Sequence, residues 1–139
     1  MILFLFLLLF SGCAFHRAEV IDPAALATKK VVFIYGIEDP LNLKKSVRSG
    51  LGNLGFSITE KKEEADLAAD FNYECYWDVI HYTCRKFNFF ITDLATKEII
   101  LQSKFWADTP FGPEKLVADL FEKVGEELKK KTAQPGVAH

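Results

Sequence analysis

Soft metal ligands are scarce in this chain, with three cysteines and three histidines among 139 residues. A tetrahedral structural zinc site takes four such ligands. Cys75-x5-His81-x2-Cys84 offers three, and His16 and His139 fall where a tether and a tail are expected. No metal is therefore expected. Cofactor and enzyme signatures are missing too. The chain has no P-loop, no Gly-rich dinucleotide turn and no H-E-x-x-H helix, so no cofactor and no enzymatic activity are expected. Asp78 and His81 lie across a turn without a nucleophilic Ser in Gly-rich flanks, so they read as a polar turn. The adjacent carboxylates Glu63, Glu64 and Asp66 could raise one another's pKa. Their Lys-flanked setting reads as solvated surface instead. An excess of one charge is also lacking, with 17 Lys and Arg against 19 Asp and Glu. The basic run Lys129-Lys130-Lys131 sits at a helix end, where cations complement the dipole. Nucleic acid is thus not an expected partner. Long apolar runs are absent as well. The longest, Met1–Phe10, makes about 15 Å of helix against a ~30 Å bilayer core, too short to span.

That run has the length of a secretory h-region and ends in small residues, Ser11-Gly12, as a cleavage site requires. A cysteine follows directly. Leu9-Phe10-Ser11-Gly12-Cys13 resembles a bacterial lipoprotein signal. The resemblance implies a diacylglycerol on the Cys13 thiol, cleavage before it, and acylation of the new amino terminus. Two or more acyl chains hold a protein stably where one does not. No Lys or Arg precedes the run, so its positive end is the Met1 amine or lies upstream of it. The plain alternatives are an ordinary secretory signal and an apolar N-terminal anchor. On the lipoprotein reading, residues 1–12 are the signal peptide. Cys13 and residues up to 29 form the lipidated cysteine and a flexible tether reaching at most ~50–58 Å. Residues 30–131 form one domain, and 132–139 a frayed tail.

Within the domain, Val31–Tyr35 is a β-branched and aromatic run stopped by Gly36, a buried strand. Asp39-Pro40 fits a helix start, with Asp as N-cap and Pro at the first helical position. Leu43, Val47, Leu51 and Leu54 then line one helical face, and Gly50 and Gly52 let the helix lie close on the sheet. Gly55 suits the left-handed stop. Phe56–Thr59 alternates as a strand. From Ala65, Phe71, Tyr73, Cys75 and Trp77 mark the inner face of a half-buried strand. It turns near Asp78–His81 into a second limb with Phe87, Phe89 and Ile91 facing in. Ile99, Leu101, Ser103 and Phe105 form the inner face of the last strand. Thr109–Pro113 breaks the sheet, and Leu116, Leu120, Val124 and Leu128 recur at i+4 along a closing helix. The expected fold is α+β, a two-layer sandwich of order β-α-β-β-β-α. A mixed or antiparallel sheet carries two helices on one face.

Cys75 and Cys84 are an even pair, and an exported location is oxidising. If Val79-Ile80 form a two-residue loop, the cross-strand pairs are Asp78 with His81, Trp77 with Tyr82, Tyr76 with Thr83 and Cys75 with Cys84. The last is a non-hydrogen-bonded pair, close enough for a disulfide. Against this, β-branched residues resist the φ > 0 of such turns. Alternation from Phe87 also sends the two thiols to opposite faces unless a bulge near Arg85-Lys86 resets the register. Both readings stand, a disulfide or two independent thiols. Tyr76, Phe90 and Trp106 fall on the outer side of their strands and form a candidate interaction surface, or else bury one another by cross-strand pairing.

Ala65-Asp66, the aromatic strand ending Trp77-Asp78, Tyr82 and Asp93-x-x-Thr96-x-Glu98 resemble a group of small uncharacterised bacterial lipoproteins. The topology is also similar to small α/β modules of outer-membrane assembly lipoproteins and to amino-terminal domains of periplasmic translocation factors. The resemblance implies an envelope role with no catalytic residues. It implies a membrane partner through the N-terminal lipid and an envelope protein as the second. Ala14, where Asp would retain a lipoprotein at the inner membrane, implies the outer membrane with the domain facing the periplasm. The leading expectation is a non-enzymatic accessory or assembly factor acting through protein contacts. The alternative is a carrier holding a lipid or other small ligand between helices and sheet.

Overall fold

The structure is a computed structural model and describes residues 15–36 and 38–133. Cys13 and the signal run lie outside the described residues, as do 134–139 of the tail. Six strands form one mixed sheet: β1 (Phe15–Val20), β2 (Val31–Ile34), β3 (Ser57–Thr59), β4 (Leu67–Asp78), β5 (His81–Asp93) and β6 (Ile99–Phe111). Their spatial order is β1-β6-β5-β4-β2-β3. The four long-range partners β1, β6, β5 and β4 are antiparallel, while β2 runs parallel to both β4 and β3. The helices are α1 (Pro23–Thr28), α2 (Lys44–Asn53) and α3 (Pro113–Thr132). Among the described residues no helix is long and apolar enough to cross a membrane.

The two-layer α+β architecture follows from the apolar faces. Val32, Ile34, Leu67, Ala69, Phe71, Phe87, Phe89, Ile91 and Leu101 stand on the covered face of the sheet. Val47 and Leu51 of α2 and Leu116, Leu120, Phe121 and Val124 of α3 close over them. Burying each such side chain contributes about 1.5–3 kcal/mol. The other face carries polar rows. Lys86 reaches Glu74 at 3.2 Å, Asn88 Nδ2 donates to Asn72 Oδ1 at 2.8 Å, and Gln102 Nε2 donates to Glu19 Oε2 at 2.7 Å.

Several expectations are corrected. Residues 15–28 are not a tether. They form β1, paired to β6 from Phe15 with Trp106 to Val20 with Leu101, and then α1. The order therefore gains a strand and a helix in front, and the four strand segments read one by one after α2 all form, one more than the order β-α-β-β-β-α counts. Helix α2 begins at Lys44, not at Asp39-Pro40, because Asn42 takes a left-handed φ of 54° that interrupts any helix there. Gly50 brings α2 against Phe121 of α3, not against the sheet. Strand β6 runs on to Phe111, into the Thr109–Pro113 segment expected to break it, and ends there before Pro113 opens α3. A register shift between Ile91 and Thr92 turns Ile100 inward and leaves Ile99 43% exposed on the other side. Trp77, placed on the inner face, is 59% exposed, because the β4–β5 hairpin extends beyond the helical layer.

Candidate functional site

The β4–β5 turn builds the most distinctive surface. Its register pairs Asp78 with His81, Trp77 with Tyr82, Tyr76 with Thr83 and Cys75 with Cys84. Arg85 is the extra residue, since Glu74 faces Lys86 while Cys75 faces Cys84. That bulge returns Cys84 to the covered side, where the two sulfurs are bonded and the Cα atoms lie 4.0 Å apart. Past the disulfide only β4 and β5 continue, with Thr83 still buried and residues 76–82 exposed. Trp77 and Tyr82 meet edge to face with centroids 5.1 Å apart. Val79 and Ile80 at the turn are 85% and 82% exposed. Val79 has φ 53°, a left-handed conformation that costs a β-branched residue about 1–3 kcal/mol. Asn or Gly would hold such a turn without strain.

The described chain begins at this same end of the sheet. Phe15 opens β1 opposite Trp106, and Trp106 lies opposite Lys86 and hence Glu74, at the foot of the ribbon. Phe15 is 54% and Trp106 39% exposed, on the open face.

The proposed outer aromatics divide. Tyr76 and Trp106 sit at the hairpin end, both exposed. Phe90 is half-buried two rows away, in the row Asp70-Phe90-Gln102-Glu19. The row of Asn72, Asn88, Lys104 and Arg17 separates it from Trp106, so the three make no single patch. Asp78 and His81 are exposed at the turn. Glu63 and Glu64 are exposed on a short 3-10 turn, with Glu64 bridged to Lys61 at 3.0 Å. His16 stands in β1, not in a tether. Its ring packs on Phe105 and its Nε2 lies 3.3 Å from Ser103 Oγ. Burial, with Lys123 nearby, holds its pKa below the ordinary value. Among the described residues no three His, Cys, Asp or Glu side chains gather as a metal site.

Two polar clusters escaped the sequence reading. Asp39 Oδ1 accepts from the Tyr73 hydroxyl at 2.5 Å and the Leu43 amide at 2.8 Å, and its Oδ2 from the Lys44 amide at 2.8 Å. Burial pushes this carboxyl up, but the hydrogen bonds from Tyr73, Lys44 and Leu43 together hold it below its ordinary value. Burial and the same Asp39 bond push the Tyr73 hydroxyl up to about 12. Asp93, buried, accepts from Lys29 Nζ at 2.6 Å and from the Ala95 amide at 2.9 Å. The Lys29 ammonium, then that amide, hold its carboxyl below the usual range. Both clusters fasten loops to strands. Each joins residues far apart in sequence, and only a pairing map could have found them. An open groove of about 720 Å³ runs between α2 and α3, lined by Ser49, Gly50, Val117, Phe121 and Glu122 among others. It lies on the outer side of the helices, whereas the space between helices and sheet is filled by the core.

No protein-family model matches this chain, and no curated protein matches it. Solved structures do. A DUF4136 family protein from Bacteroides thetaiotaomicron is similar at TM-score 0.56 and 10% identity, covering 86% of this chain and 96% of that one. A PelC dodecamer from Paraburkholderia phytofirmans is similar at TM-score 0.52 and 13% identity, covering 84% and 96%. A PDZ domain protein from Parabacteroides distasonis matches at TM-score 0.53 and 11% identity, covering 91% of this chain and 37% of that one. At such identities the likeness is one of fold, and this chain shares its fold with small bacterial proteins of the DUF4136 and PelC kind.

Proposed function

We propose that this chain is an envelope lipoprotein, lipidated at Cys13 and held at the bacterial outer membrane with its domain facing the periplasm. It acts there without catalysing a reaction, as an accessory or assembly factor working through protein contacts. The observation that carries the reading is the apolar run Met1–Phe10 closing on Ser11-Gly12-Cys13. The disulfide of Cys75 and Cys84 fits an oxidising, exported location. A protein of the same fold, PelC, is a dodecamer, so the fold is compatible with protein contacts. The second reading is a carrier holding a lipid or other small ligand between helices and sheet. What favours it is the groove between α2 and α3 and a smaller one of about 300 Å³ beside Leu26, Phe56 and Leu128. Metabolic labelling with palmitate tests the anchor. The wild-type chain should carry label and fractionate with outer membranes, while Cys13→Ala should lose the label and appear in the soluble fraction. Equal labelling of the two would overturn the reading. Native mass spectrometry of the purified protein separates the second reading, which requires a co-purified small molecule.

A further inference from the structure

We infer that the hairpin end of the sheet docks into the surface of the lipid bilayer, with Val79-Ile80 as the inserted tip and Trp77, Tyr76 and Tyr82 at headgroup level. The inference rests on the lipoprotein reading for its anchor and adds a second, built contact with the membrane.

Composition points to lipid. Val79 and Ile80 are the most exposed large apolar residues of the described chain, and three aromatics with polar edges follow directly behind them. Aliphatic residues at the tip and Trp and Tyr behind them are the order found across a membrane interface, where amphipathic rings favour the headgroup region. Beyond buried Thr83 and Cys84, Arg85 and Lys86 are exposed on β5, Lys86 paired with Glu74, and Arg85 stands at the level where anionic headgroups attract cations. The turn places a β-branched residue at φ 53° where a polar Asn-Gly would relax it, so the tip is apolar despite local strain.

The reach of the chain fixes the occupant. The foot of the ribbon, the row of Glu74, Lys86, Trp106 and Phe15, is five residues from Val79 along β4. An extended strand covers about 16 Å over that distance. Cys13 lies at most ~7 Å beyond Phe15. With that link fully extended toward the tip, a Cys13 anchor at the interface leaves the tip ~9 Å deeper, within the 5–10 Å depth of interfacial insertion. The disulfide of Cys75 with Cys84 stands midway up the ribbon and holds its two limbs in register. Anchor and tip reach one surface together. A partner protein would have to fit between the tip and the membrane the same end faces.

The test uses the full chain purified in detergent and reconstituted into vesicles of phosphatidylethanolamine and phosphatidylglycerol that contain acyl-brominated phosphatidylcholine. Trp106→Phe leaves Trp77 as the sole tryptophan, excited selectively at the red edge of the absorption band, where tyrosine does not absorb. Its emission should shift to the blue and fall by about half beside brominated chains. Val79→Asp combined with Ile80→Asp should abolish that quenching while far-UV circular dichroism stays unchanged. Trp77 that is open to aqueous iodide and insensitive to bromine overturns the inference. Trp77 shielded from iodide yet insensitive to bromine also overturns it, in favour of a protein partner or a second copy. The intact mass of the same sample reports acylation of Cys13 separately. An acylated chain with unquenched Trp77 keeps the lipoprotein reading and loses this one. A non-acylated chain with quenched Trp77 does the reverse.

Discussion

At the residue scale, Asp39 is where one side chain holds two parts of the fold. Its carboxylate takes amides from the start of α2 and the hydroxyl of Tyr73 from the central strand β4. A helix leaves its first amides without backbone partners, and Asp39 satisfies two there although it stands five residues ahead of the helix. Asp39→Asn preserves shape and removes the charge. It should cost about 1–2 kcal/mol, the usual loss for a capping side chain. The pH dependence follows from the signs. The folded pKa of Asp39 lies below the ordinary 3.8, so its contribution is fully present above that value and is lost as pH falls through the folded pKa. Tyr73 runs the other way. Its proton is held up to about 12 against an ordinary 10.0, so this contribution is complete below pH 10.0 and lost on rising toward 12. Urea unfolding of wild type and Asp39→Asn across acid pH checks the first, with the two curves converging below about pH 4. A gap that stays constant to the lowest pH would refute it. Phenolate absorbance checks the second, since one tyrosine should titrate late in the wild type and earlier in Asp39→Asn.

At the element scale, the helix pair turns on Gly50. A Cβ there would fall within 2.8 Å of Phe121 Cε2 and nearer still to the rest of the ring. Gly52, two residues on in the same helix, has nothing within 4 Å. Alanine is favoured over glycine in a helix by about 1 kcal/mol, so propensity predicts the same gain at both sites. Packing separates them. Gly50→Ala must displace a buried aromatic ring and should destabilise by about 1–3 kcal/mol. Gly52→Ala should stabilise by up to ~1 kcal/mol. Opposite shifts of the thermal midpoint would show the close approach; shifts of the same sign would refute it. The sequence pattern showed Leu43, Val47 and Leu51 on one helical face, and these are buried. It did not show which neighbour Gly50 meets, because that is a property of α3. The hairpin divides the same way. A two-residue turn sets every pair from Asp78 with His81 to Cys75 with Cys84 by counting alone. The alternation also marks Arg85-Lys86 as the place a bulge must lie if the thiols meet, and the structure puts the extra residue at Arg85. That the thiols do meet is decided by burial of Cys84, which counting alone leaves open.

At the scale of the whole molecule, the element that sequence left unread closes the sheet. Strand β1 turns His16, Ala18 and Val20 toward the helices and Phe15, Arg17 and Glu19 away. A histidine and an alanine on the inner face give no apolar alternation, so its strand character comes from β6 and not from its own residues. Ile99 and Ile100 hid the register of β6 for a related reason, being equally apolar on opposite faces. The partner of Phe15 is Trp106, so the first described residues complete the fold only after nearly the whole domain is made. With β1 in place, β6 has neighbours on both sides, and the apolar Ile100 and Leu101 are buried. Without it, β6 becomes a long edge strand, which pairs readily with other chains. Deleting residues 15–22 should therefore lower the unfolding midpoint and drive self-association. Size-exclusion chromatography with light scattering would read the second effect, and concentration dependence would mark it as edge pairing. A truncated chain that stays at its original mass with an unchanged midpoint would return residues 15–22 to the status of a tether. In that case Cys13 would stand far from the sheet, and the hairpin would lose the geometric link that brings it to a membrane.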